Sequence, residues 1–397
     1  MIKKSFLWLH KWLGLITGIV VFLVSITGCI YVFHDDLKLL FYADKYFTHS
    51  RPSADKIPLP LSKLIPLAQE QLDKGEVISR VDLYPASNRT WVFRALKINE
   101  EAFGYRNYHI YNKRVFINPY SGEVQAVENT KYEFFQVVLQ MHMNLLLGKK
   151  VGHPVVGYST VIFAVLLITG LVLWWPKKWT KRSVKQSFSL DLRLSWKRIN
   201  YDLHNVLGFY NLLFALIICI TGLVFSFPAF KTYYIESLNK LSTETVKMKD
   251  DFEPVPQKFE SSLDNALSFA LHKHPNADMM SIRLRDSTEE FHDIQIRMFK
   301  DRTGKFKWYY FNQSDGQVSK VKSSEFGKTG DKLAGLNFDL HVGSIGGYPT
   351  KILAFIASLI CASLPITGTL VWWNKRKPKG KSRVKKGISI PARRISS

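Results

Sequence analysis

Apolar residues gather into four long runs, and the stretches between them alternate apolar and polar positions. The runs cover 13–33, 155–175, 206–227 and 351–373. Each is close to the roughly 20 helical residues that cross a hydrocarbon core of about 30 Å, so the pattern predicts four transmembrane helices. Between the first and second runs, and between the third and fourth, lie 34–154 and 228–350. Each of these reads as one small α+β domain. Helices are predicted over 61–72 and 263–270 from apolar spacing near 3.6. Strands are predicted over 81–84, 90–95, 108–112 and 114–118 in the first segment, and over 280–284, 293–298 and 307–312 in the second.

The ends of the runs give a direction. Lys3, Lys4 and Lys11 flank the first run, and Lys177, Lys178, Lys181, Arg182, Lys185, Arg193, Lys197 and Arg198 fill the basic segment 176–205. Lys375, Arg376, Lys377, Lys379 and Lys381 follow the fourth, in a basic tail over 374–397. Positive residues beside spans stay in the cytoplasm, so both termini are expected there and both α+β segments outside, in the periplasm of a bacterial inner membrane. Trp174–Trp175 and Trp372–Trp373 read as interfacial anchors.

The excess of 55 Lys and Arg over 32 Asp and Glu would suit a nucleic-acid partner, but its placement follows the topology and no nucleic acid is expected. Cys29, Cys219 and Cys361 all fall in apolar runs, which excludes a disulfide framework or a CxxC site. Ile26 to Cys29 resembles a lipoprotein cleavage box. The same Ile-Thr-Gly triplet recurs at 168–170, 220–222 and 366–368, however, which makes it a packing feature where helices approach closely.

The chain repeats itself. An offset of 194 residues places Leu9, His10 and Gly14 on Leu203, His204 and Gly208, and Asn118, Ser121 and Gly122 on Asn312, Asp315 and Gly316. At an offset of 198, Trp174 falls on Trp372. An internal duplication of one helix, domain, helix unit accounts for both.

Of 11 histidines, His49, His109, His272, His274 and His292 lie in the polar segments and read as solvated, and His153 precedes Pro154 in a loop. His10 and His204 share a repeat position at the cytoplasmic end of the first and third runs. His142 and His341 form a second pair, each on an apolar segment before the second or fourth run. Two imidazoles from different helices are what haem b requires in a helical bundle. No carboxylate or thiol stands beside these pairs to make a zinc or copper site. His34 is an alternative outer ligand whose repeat counterpart is Pro228.

At these residues the chain resembles the PepSY-associated transmembrane helix family, whose members include di-haem inner-membrane ferric-siderophore reductases. The marks are Leu9-His10-Lys11-Trp12-Leu13-Gly14, the Thr27-Gly28 and Thr169-Gly170 pairs, Trp174-Trp175-Pro176, His142 with Asn144 and Leu145, and the Asn118-Pro119-Tyr120-Ser121-Gly122-Glu123-Val124 turn. The second such turn departs, with Gln313 and Ser314 where Pro119 and Tyr120 stand. The resemblance implies a four-helix transmembrane bundle with two PepSY-like outer domains and two haem b, one held by His10 and His204, the other by His142 and His341. Electrons would pass outward to a ferric siderophore or another iron chelate. No GxGxxG fingerprint appears, so the donor is expected to be separate, a quinol or a cytoplasmic reductase. The rival reading is a non-enzymatic regulator whose outer domains restrain a peptidase. A transporter is disfavoured because the spans carry no acids and no broken helix is evident.

Overall fold

A computed structural model describes residues 2–49, 57–240, 253–284, 289–300 and 302–376. Lys377, Lys379, Lys381 and the other tail residues after Arg376 lie outside the described residues.

Three helices are long and apolar enough to cross a membrane: Ile2–Val32, Lys149–Trp174 and Tyr348–Arg376. Expected as one straight helix over 206–227, the third run is instead broken within its first two turns, between the helices Trp196–Tyr210 and Leu212–Ser226, which are bent by 64°. Asn211 stands at the break. It is buried, and its side-chain amide donates to Ala357 O at 3.0 Å and Cys361 Sγ at 3.2 Å on the last helix. An amide in apolar surroundings must find partners, and here it finds them across the helix pair. The π turn Leu203–Leu207 precedes the break and carries His204. The second helix starts at Lys149, so His153 and Pro154 belong to its opening turns and not to a loop.

One end of the helices is tied by aromatic packing. Trp174 stacks on Phe209 with ring centroids 3.7 Å apart and donates from Nε1 to Ser187 O. It is therefore an internal contact, while Trp175 and Trp373 are among the exposed aromatics at this end, with Trp8, Trp179 and Trp196. Lys3 Nζ donates to Trp175 O, which places both chain segments on the same side. All three cysteines are buried and free.

At the other end stands one antiparallel sheet of eight strands: β1 Ile78–Leu83, β2 Trp91–Ile98, β3 His109–Ile117, β4 Val124–Asn129, β5 Met279–Arg283, β6 Phe291–Phe299, β7 Arg302–Asn312 and β8 Val318–Ser323. Their order is β4-β3-β2-β1-β5-β6-β7-β8. The two outer segments thus contribute four strands each and meet along β1 and β5, with Val81 opposite Ile282 and Asp82 opposite Ser281. The expected strands 108–112 and 114–118 are one continuous strand, β3. The edge strands β4 and β8 were not anticipated, because their polar residues break the apolar signal.

Helices Leu61–Gln69 and Ser262–Lys273 cover one face, burying Leu64, Val81, Phe93, Ala266, Ile282 and Phe311 in one core. Asp264 joins the two helices by accepting from Leu61 N at 2.6 Å. His109 and His274, expected to be solvated, are buried. His274 Nε2 meets the Tyr309 hydroxyl at 2.8 Å, and His109 packs between the Tyr105 and Tyr108 rings.

Candidate functional site

Four histidines come together in two pairs, one toward each end of the helices. The ring centroids of His10 and His204 are 6.3 Å apart, and those of His142 and His341 are 6.1 Å apart. Imidazole nitrogens bind metal ions at about 2.0 Å, and each ring centre lies roughly 1 Å behind its nitrogen, so two imidazoles clasping one ion stand about 6 Å apart. Both pairs have that spacing.

Local structure places each ring. His10 lies in the third turn of the first helix, and His204 in the π turn Leu203–Leu207. His142 sits near the end of helix Phe134–Asn144, which Glu133 caps by accepting from Phe135 N and Gln136 N. His341 closes the short helix Asn337–His341. That helix is fixed by Asn337, which donates to Thr221 O, and by Asp339, which accepts from Gly304 N on β7.

In every ring Nδ1 points away from the partner histidine into a neighbouring helix. It meets Thr169 Oγ1 at 2.9 Å in His10, Thr367 Oγ1 at 3.0 Å in His204 and Thr221 Oγ1 at 2.9 Å in His341. His142 Nδ1 meets Val24 O at 2.9 Å and Thr27 Oγ1 at 3.3 Å. Among the described residues no protein group hydrogen-bonds Nε2 of any of the four. One nitrogen of each ring is thus engaged and the other is left for a ligand, the arrangement that orients a metal-bound imidazole.

The donor set also restricts what could be held. Among the described residues no group of three or more His, Cys, Asp or Glu is placed to enclose a metal ion. Two imidazoles per site suit an iron whose remaining positions are filled by a macrocycle, so the residues present fit haem.

Residues 7–375 match the PepSY-associated TM region. The chain belongs to that family. No curated protein matches the chain.

His34, the alternative ligand, lies apart from this arrangement. It stacks on Tyr31 at 3.9 Å, its Nδ1 bonds Tyr31 O, and its Nε2 lies 3.1 Å from Asp35. Both of its nitrogens are engaged. The four threonines were not singled out as site residues by sequence, where their Thr-Gly pairs read as helix packing. The available signal was that each pair occurs once per apolar run, just as each run or its flank supplies one paired histidine.

Proposed function

We propose that this family member is a transmembrane electron carrier with two haem b, which reduces iron held in a ferric siderophore or similar chelate on the periplasmic side. In this reading the three long helices and the bent pair form a four-helix bundle built by internal duplication. The basic segments lie in the cytoplasm, and the shared sheet stands in the periplasm. His10 and His204 hold the inner haem, and His142 and His341 the outer one.

The observation that carries the proposal is the doubled geometry: two imidazole pairs at ligand spacing, each with Nδ1 engaged and, among the described residues, no hydrogen bond to Nε2. Haem supplies a one-electron Fe(III)/Fe(II) couple when bound. The chain's own contribution is to place one pair toward each end of the bundle. His10 and Thr27 lie on one helix, 17 positions apart, which corresponds to about 25 Å at 1.5 Å per residue. Both pairs also draw one histidine from each half of the chain, so occupied sites clasp the halves together.

At the inner end, exposed Lys177, Lys178, Lys181, Arg182 and Lys185 form a surface suited to an acidic donor protein. A quinol from the bilayer is the other donor class. At the outer end, the acceptor would bind beside the sheet. The break at Asn211 does not revive the transporter reading, since its amide is satisfied by the neighbouring helix.

The test is an absorption spectrum of the purified protein, oxidised and dithionite-reduced, with a pyridine haemochrome assay. Two extractable haem b per chain are expected. A colourless protein would instead favour the peptidase regulator.

A further inference from the structure

Each of the four threonines carries a glycine as its next residue, and both residues touch the same histidine. A Cβ added at Gly368 would lie 3.1 Å from His204 Cε1, at Gly28 3.3 Å from His142 Cε1, at Gly170 3.4 Å from His10 Cε1 and at Gly222 3.6 Å from His341 Cε1. These glycines therefore face imidazoles, and the triplet is more than a helix-packing feature.

The threonine hydroxyls are also committed. Thr169 donates to Val165 O at 2.8 Å, Thr367 to Ser363 O at 3.0 Å, Thr221 to Ile217 O at 2.7 Å and Thr27 to Leu23 O at 2.6 Å, each in its own helix. A hydroxyl has one proton. With that proton given to the helix, Oγ1 can only accept at the imidazole, so Nδ1 must carry the hydrogen and Nε2 must present its lone pair.

We propose that the four Thr-Gly pairs are sockets for the haem-ligating histidines, in which threonine fixes the tautomer and donor strength of the ring and glycine makes room for its edge. This rests on the haem reading above. The sockets are exchanged between helices: the first helix offers His10 to Thr169-Gly170 and receives His142 on Thr27-Gly28. In the second half, His204 sits on Thr367-Gly368 of the last helix and His341 on Thr221-Gly222. All eight are positioning residues. An acceptor at Nδ1–H makes an imidazole a stronger donor and favours Fe(III), so removing it raises the reduction potential.

The sockets are unequal, which gives the proposal an internal control. Thr27 is the longer of two partners of His142, and Val24 O at 2.9 Å holds that hydrogen without it. Gly222 leaves ordinary contact distance for a methyl group, whereas Gly368 does not.

The experiment is a potentiometric titration followed by visible absorbance, with electron paramagnetic resonance of the ferric state, on full-length wild type and single variants. Thr169→Val and Thr367→Val are expected to raise one of the two midpoint potentials and leave the other. Thr221→Val should raise the other one, and Thr27→Val should have the smallest effect. Thr169→Ser, which keeps the hydroxyl, should restore the wild-type value. Gly368→Ala should disturb or release only the haem served by His204, while Gly222→Ala keeps both. Unchanged midpoints in Thr169→Val, Thr367→Val and Thr221→Val with both haems bound would overturn the proposal. So would a Thr169→Ser variant that behaves like valine, or loss of both haems in every Val variant. Wild type lacking haem altogether would sink the underlying reading instead, and the two failures are told apart by the haemochrome assay.

Discussion

The Lys351 ammonium lies 2.7 Å from the Asp36 carboxylate, joining the first turn of the last long helix to the segment that follows the first. Lys351 is 3% exposed. Asp36 also accepts from Lys300 Nζ and the Tyr348 hydroxyl. Although burial opposes ionisation, these donors together hold its carboxyl down to about 2. Both halves of the chain are thus bound at the sheet side of the helices.

Asp36→Asn removes the charge while leaving Lys351 buried. Breaking a buried pair in this way typically costs 3–5 kcal/mol, and the partial exposure of Asp36 reduces the expectation to about 2 kcal/mol. Thermal unfolding in detergent, followed by tryptophan fluorescence, should show a lower midpoint. Adding Lys351→Met should recover part of the loss.

The ligand assignment makes a separable prediction. His10→Ala or His204→Ala should reduce the haem content from two to one by releasing the inner haem. His142→Ala or His341→Ala should release the outer one. His34→Ala should leave both, because its ring is engaged by Tyr31 and Asp35. Haemochrome stoichiometry of the purified variants reads this directly.

Acid should loosen the outer region in a defined window. Burial pushes the His274 imidazole down to about 4, with Lys307 and Lys273 adding to the effect, and His109 down to about 4, with Lys131 adding. Below the ordinary value of 6.5 the unfolded chain therefore binds more protons than the folded one. The stability these neutral rings contribute is complete above pH 6.5 and is lost as the pH falls toward 4. Asp36 contributes its own loss only lower, from 3.8 toward 2. Unfolding midpoints measured between pH 7 and pH 4 should fall, and His274→Gln should flatten the slope.

Some of this was legible in the sequence and some was not, for physical reasons. Long apolar runs announce membrane helices because crossing a bilayer fixes their length and composition. The 194-residue offset picks out His10 with His204, the same two that the structure sets side by side. The break at Asn211 was invisible, since one amide in an apolar run shows its effect only through its partners Ala357 and Cys361. The shared sheet was equally hidden. Pairing of Val81 with Ile282 depends on contacts some 200 residues apart, while pattern reading is local. His109 and His274 were misjudged because polar neighbours in sequence did not report the apolar surroundings in space. The Thr-Gly pairs were seen as close-packing positions, but the imidazoles beside them were not, because small residues on a helix look the same whether a helix or an imidazole stands opposite.

The most direct measurement places the protein in sealed vesicles with the basic segments facing inward, a reductant enclosed, and a ferric siderophore with an Fe(II) trap outside. Wild type should deliver Fe(II) to the outer solution. Both His10→Ala and His341→Ala should abolish it, because the proposed path runs through the two histidine pairs in series. Full activity in His10→Ala would contradict the account, showing that the inner site is not on the path across the membrane.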